Sequence, residues 1–402
     1  MRPFTSTISL EEARRRLASA VRPIGRTERV TLGAAAGRIA AVDVSSSIDV
    51  PAFARSAMDG YAVIAADTTA ATRDTPTRLR QVDRIFTGTV SSVAVAAGTC
   101  AEIATGAPLP AGADAVVMVE ETSKSGDATI EILAKAVAGQ NIGKRGADIA
   151  AGDRMIASGD LLLPGRVGAL AAIGCADVEV FAKPRVAILS TGNEVIEPGQ
   201  PLSAGQIYDV NRYTLGAIVT AHGGMPEPQR AVQDTVDALV EALDACAASD
   251  LVVFSGGSSV GERDLVVDAI TARGEMIFHG IAVRPGKPTA FALVRGLPFF
   301  GMPGNPTSCL SNAYILLVPF LRAIARLPPH APRTRRVPLG RRIVSAVNRH
   351  QFYTVRLRDN AAYPAFKGSG DITSLSAADG YIEIAADQSV VEQGTEVTVT
   401  LF

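Results

Sequence analysis

Three short stretches carry residue types that could hold a phosphate or another oxyanion. They are Ser190–Glu194 (STGNE), Ser255–Asp264 (SGGSSVGERD) and Gly301–Pro306 (GMPGNP). Glycine leaves backbone N–H groups bare, and a helix starting after such a loop points its positive end at whatever binds. A single loop of this kind can be no more than a tight strand-to-helix connection. Three at one sheet edge point to an oxyanion- or phosphate-bearing ligand, with Gly192, Gly256, Gly257, Ser259, Gly261, Gly304 and Asn305 as binding candidates. Acidic residues accompany them: Glu194, Asp234, Asp264 and, in the neighbouring turn, Asp209. Carboxylates beside a phosphate cradle make sense if Mg²⁺ bridges them, because Mg²⁺ is usually held by one or two carboxylates plus phosphate oxygens. Each acid alone could equally be a helix cap or a solvated charge, and Asp264 would cap its helix well. Arg284 and Lys287 lie in VRPGKP, where a Pro–Gly turn suits a fixed anion contact. Exposed turn charges are also common.

Positioning these loops requires strands that end in them. Arg185–Leu189 and Leu251–Phe254 are continuous apolar runs, and Leu297–Gly301 leads into the third loop. Helical periodicity fills Asn211–Ala221, Thr235–Ala247, Asp264–Ala272 and about Thr307–Arg326, with further strands at Met276–Val283 and Thr289–Val294. Alternating strands and helices predict a doubly wound, mostly parallel sheet, whose ligands gather outside the strands' carboxyl ends. Upstream, Ser9-Leu10-Glu11-Glu12 is a capping box opening a helix through about Ala20. From Val30 to Val137 short β-like stretches dominate: Tyr61–Ile64, Thr77–Ile85, Ala115–Val119 and Thr129–Leu133. Within them Met58-Asp59-Gly60 and Thr105-Gly106 read as turns, which alone say little about function. Arg166–Ile173 looks briefly helical, Pro328–Pro332 is a linker, and Val337–Phe402 alternates like a small β-domain.

Composition narrows the function classes. A chain of 402 residues, 47% hydrophobic and 20% charged, can build several real cores, which excludes wholesale disorder. Net charge is −1, from 39 basic and 40 acidic residues, so no global field favours nucleic acid or a membrane surface. The four cysteines are scattered singly, without zinc spacing. Four dispersed histidines show no catalytic triad. Met1–Leu10 has no apolar signal-like stretch, and the uncharged run Gly296–Leu321 contains four prolines. A cytoplasmic protein is expected.

Taken together, the motifs SAMDGYAV, TGAPLPAGADAVVMVEE, KRGADI, ILSTGNEV, GQIYDVNR, SGGSSVGERD, VRPGKP and GMPGNPTS resemble the molybdopterin molybdenumtransferase family across essentially the whole chain. The resemblance implies a multidomain α/β and β fold. Domain I, at 1–45 and 138–183, is discontinuous and dimerising; domain II, at 46–137, is a β-rich insertion. Domain III, at 184–327, is a molybdopterin-binding α/β domain, and domain IV, at 333–402, a small β-domain. It implies a homodimer with its active site at the subunit interface, acting on adenylylated molybdopterin and molybdate (or tungstate) with Mg²⁺ and releasing AMP. Matching catalytic positions are Asp59, Thr105, Asp148, Glu194, Asp234 and Asp264, with Glu194 and Asp264 as metal ligands. Arg284, Lys287, Ser308, Ser374 and the GMPGNP backbone are the implied holders of substrate.

Two positions depart from the family pattern. Gly280 and Thr354 stand where many members carry a lysine and an arginine, removing positive charge from the expected oxyanion site. His279, His350 or Arg356 are the candidate replacements, and Gly280→Lys is expected to restore oxyanion affinity. Two other readings accompany that of an insertion enzyme: a molybdopterin adenylyltransferase, and a non-catalytic molybdopterin carrier or scaffold.

Overall fold

The computed structural model describes residues 7–192, 194–229, 233, 235–256, 265–271 and 273–402. The chain forms two compact units: Met1–Glu28 with Phe181–Phe402, and Arg29–Val180 between them in sequence.

The unit Arg29–Val180 is built on a six-stranded sheet. Its spatial order is Ala115–Met118, Gly60–Val63, Thr99–Ile103, Thr77–Ile85, Thr129–Ile132 and Thr122–Lys124. Both faces are covered. Tyr61 and Val63 enter one core with Leu79, Val117 and Ile130, while Ala62 enters the other with Ile85, Ile103 and Val116, as the two-residue period of a strand dictates. Gly60 is required by close approach: a Cβ there would lie 1.9 Å from the Val117 carbonyl oxygen. A separate core joins Ala35 and Ala40 to Ile149, Ile156, Leu162, Leu170 and Val180. The expected strands recur within a residue or two; Thr99–Ile103, made mostly of small residues between two glycines, was not anticipated.

In the other unit, a six-stranded sheet runs Met225–Pro228, Arg185–Ser190, Leu251–Ser255, Leu297–Met302, Ala290–Val294 and Gly274–His279. The first four strands are parallel; Ala290–Val294 is antiparallel to both its neighbours. Alternate residues again serve opposite cores. Val186, Ile188, Val253 and Phe300 face one side, and Ala187, Leu189, Val252 and Phe299 the other. Burial on both faces is why these strands read as unbroken apolar runs. Helices Asn211–Ala221 and Pro306–Ile324 cover the first side, with Leu239 and Leu243 of Val236–Ala245 on the second.

The capped helix Leu10–Ala20, which the resemblance assigns to domain I with residues 138–183, buries Leu10, Ala13 and Leu17 in the core of the α/β sheet. Its stripe specified a buried face, not which partner would bury it. The helix expected at about Thr307–Arg326 is present as Pro306–Ile324; it is long and apolar enough to cross a membrane, yet most of it is buried in the core. Pro306 occupies the first turn, and a π-helical turn at Ala313–Leu317 precedes Pro319. That wider turn relieves the clash between a proline ring and the carbonyl four residues earlier.

The C-terminal sheet has the order Val283–Arg284, His350–Arg358, Gly380–Ile384, Glu396–Leu401 and Thr334–Pro338, over a core including Val337, Val355, Ile382 and Val399. Its edge strand therefore comes from the α/β region. Val283 pairs with His350 and Arg284 with Gln351, which places VRPGKP directly beside the β-domain.

Candidate functional site

At the carboxyl ends of the parallel strands the three loops touch. Thr191 N–H donates to the Ser255 carbonyl at 3.1 Å. A Cβ on Gly256 would lie 2.5 Å from Thr191 Oγ1, and one on Gly304 would lie 3.6 Å from Gly256 Cα. Glycine is thus demanded at Gly256 by the neighbouring loop, while Gly304 sits at ordinary contact distance. Asn211, buried at the start of its helix, ties them further: its Nδ2 donates to Ser255 Oγ and to the Gly304 carbonyl, both at 2.7 Å. Sequence reasoning gave this residue only as the start of a helix and did not see its role.

The oxygens around this point fit a hard cation in kind. Ser190 Oγ, Thr191 Oγ1 and Asn211 Oδ1 are buried and find no hydrogen-bond partner among the described residues, and such atoms ordinarily have one. The carboxylate of Glu194 lies over Gly192, where an added Cβ would come within 2.9 Å of Oε2. No cluster of three or more metal-type side chains occurs among the described residues. Asp234, Gly257, Ser259, Gly261 and Asp264 lie outside the described residues.

Beside the loops lies a cleft of about 430 Å³ lined by Arg284, Lys287, Asn305, Ser308, Arg349, Lys367 and Ser369. Four of these were anticipated. Arg349, Lys367 and Ser369 were not, since exposed charges of a β-domain look like solvated surface until the strand pairing brings them to VRPGKP. The walls are pinned. Asn305 Nδ2 donates to Ser369 Oγ at 3.1 Å, and Thr307 N–H to the Ser369 carbonyl at 3.0 Å. Fully buried Asn312 donates to the Gly286 carbonyl at 2.8 Å and to Thr289 Oγ1. Gly286, at φ +99°, has no room for a Cβ against that amide. Ser374, expected to touch substrate, is fully buried behind the wall, accepting the Lys367 N–H at 2.9 Å. It holds the loop.

The two departures look different in three dimensions. Gly280 has φ +92°, a conformation that favours glycine, and its N–H donates to the Thr289 carbonyl. Thr354 is buried and faces a small internal space lined by Tyr314, Phe352, Tyr381 and Phe402. None of the three suggested replacements lines the cleft. His350 pairs with Glu383 at 2.8 Å, Arg356 Nε donates to the Ala377 carbonyl at 2.6 Å, and His279 lies elsewhere. The cleft's additional cations are Arg349 and Lys367.

In the Arg29–Val180 unit the first-half motifs gather around one extended segment. Ser56 N–H donates to the Ala107 carbonyl, Gly106 N–H to the Ser56 carbonyl and Ala57 N–H to the Asn141 carbonyl. Asp59 Oδ1 accepts the Thr105 N–H at 2.7 Å, and hydrogen bonding by Thr105, its backbone first, holds that carboxyl below the ordinary aspartate value. Two turns that carried little meaning separately are one exposed pair. Asp148 is exposed as well, its N–H donating to the Val50 carbonyl.

Comparison with known proteins agrees with this layout. Residues 8–174 match the MoeA N-terminal region (domain I and II), 187–323 the "Probable molybdopterin binding domain", and 336–402 the MoeA C-terminal region (domain IV). A Haemophilus influenzae protein named molybdopterin molybdenumtransferase is 31% identical, covering 98% of both chains. Molybdopterin molybdenumtransferase 2 of Mycobacterium tuberculosis is 34% identical over 97% of this chain and 98% of its own. The crystal structure of a molybdopterin biosynthesis MoeA protein from Pyrococcus horikoshii superposes with a TM-score of 0.86 at 38% identity, covering 98% of this chain and 99% of that one. With such identity sustained from end to end, the chain belongs to the molybdopterin molybdenumtransferase (MoeA) family.

Proposed function

We propose that this protein is a transferase of molybdenum cofactor biosynthesis that inserts molybdate into adenylylated molybdopterin and releases AMP. One observation carries the reading beyond the family name: a phosphate-type cradle of three converging loops stands next to a basic cleft. The first suits a phosphorylated pterin, the second a tetrahedral dianion, and the two are adjacent because Asn305 of the third loop, and Ser308 in the helix that follows it, also line the cleft.

In this reading the loop N–H groups, kept in place by Asn211, orient the pterin phosphate, while Arg284, Lys287, Arg349 and Lys367 hold molybdate by charge-assisted contacts. Glu194, with Asp264, would hold Mg²⁺, which offsets negative charge developing as the phosphoanhydride breaks. Asp59, Thr105 and Asp148 supply a second polar surface, used in a homodimer whose site draws carboxylates from both chains. The protein works in the cytoplasm.

Purified protein given adenylylated molybdopterin, Mg²⁺ and molybdate tests this. AMP release that depends on molybdate is expected. Pyrophosphate release from ATP and molybdopterin would identify an adenylyltransferase instead, and tight binding without turnover a carrier. Tungstate in place of molybdate reports oxyanion selectivity.

A further inference from the structure

A second cleft, of about 520 Å³, shares Phe366 and Lys367 with the basic one but opens on a different part of the C-terminal domain. Arg356 and Arg358 stand two residues apart on the strand His350–Arg358 and so project from the same face. Arg356 is fixed by its Nε bond to the Ala377 carbonyl, and neither arginine has a carboxylate partner among the described residues. Across the hairpin Arg356 pairs with Tyr363. That ring lies against Gly340, where a Cβ would come within 2.5 Å of it, and yet is 37% exposed. Phe366 is braced by Tyr353, with ring centroids 5.4 Å apart. A single carboxylate, Asp359 in the hairpin turn, opposes three cations.

Two guanidinium groups match the oxygens of a phosphate monoester. Aromatic side chains stack on planar bases of any identity. A bare oxyanion would use neither the rings nor a cleft of a size ordinary for small-molecule sites. We propose that this cleft binds a nucleoside monophosphate, with Arg356 and Arg358 on the phosphate and Tyr363 and Phe366 against the base. The site is separate from the three loops and does not depend on the insertion reading.

Calorimetry on the full chain with AMP, adenosine and inorganic phosphate tests it, without pterin or molybdate present. Saturable AMP binding is expected, weakened roughly 10–100-fold in Arg358→Glu, the range for losing a charged hydrogen bond. Tyr363→Leu should weaken AMP but leave inorganic phosphate unchanged. If the loops also take AMP, wild type shows two sites and Arg358→Glu one. Unchanged affinity and stoichiometry in a folded Arg358→Glu protein overturns the proposal, and so does inorganic phosphate binding as tightly as AMP. Should Arg358→Glu melt early, Arg358→Gln is read by the same criteria. Arg358→Glu should keep wild-type turnover, so absent turnover in wild type bears on the insertion reading alone.

Discussion

The Asp59 carboxylate accepts a backbone N–H, so Asp59→Asn, which keeps an acceptor oxygen, should preserve the turn while removing the charge. The expected result is an unchanged melting temperature and a fall in AMP release of roughly 10²-fold, typical of losing one electrostatic contact. Because the folded carboxyl titrates below its ordinary value, its contribution to stability is present above that value and lost as pH falls through the lowered one. Neutral-pH activity should therefore show no titration from Asp59. Gly280 yields the opposite expectation from the one its sequence position suggested. A lysine at φ +92° is strained by about 1 kcal/mol or more, so Gly280→Lys should lower the melting temperature without reducing the molybdate requirement. Arg349→Ala should raise that requirement roughly tenfold or more, read as AMP release against molybdate concentration. An unchanged requirement would remove Arg349 from the oxyanion site.

Among the elements, the strand ends were legible because doubly buried strands leave long apolar runs and the loops after them need glycine. What joins the loops was not. Asn211 resembles any polar residue opening a helix, and only the fold shows it bridging two strand ends. Asn211→Ala should cost about 2 kcal/mol, from two lost hydrogen bonds, one of them to the buried Ser255 hydroxyl. The midpoint of urea unfolding measures this, and it should be accompanied by weaker pterin binding. The parallel pairing of Val283–Arg284 with His350–Gln351 was equally hidden. It joins residues more than sixty positions apart with no local periodicity to announce it, which is why Arg349 and Lys367 went unread while Arg284 and Lys287 did not.

For the whole molecule, family motifs spread over every part of the chain made its membership readable. Which core receives the N-terminal helix was less so, because its stripe satisfies the same pattern against any of them. The homodimer reading has a direct test at this scale. Mixing inactive Asp59→Asn chains with inactive Glu194→Gln chains should restore part of the AMP release, as some composite sites regain both carboxylates. No recovery in a verified heterodimer would falsify the shared site.

The packing of Leu10, Ala13 and Leu17 into a core that also contains Phe352 sets an order of events during synthesis. The helix leaves the ribosome first, but its last core neighbour follows more than three hundred residues later, roughly 20–70 s at ordinary elongation rates. Through that interval its apolar stripe stays without its core, while Arg29–Val180 is complete and free to fold. The segment made earliest is among the last to be buried. Its exposed side carries Glu12 with Arg15 and Arg16, ion-paired within the helix itself. Charge so placed keeps a waiting amphipathic segment from associating with other nascent chains.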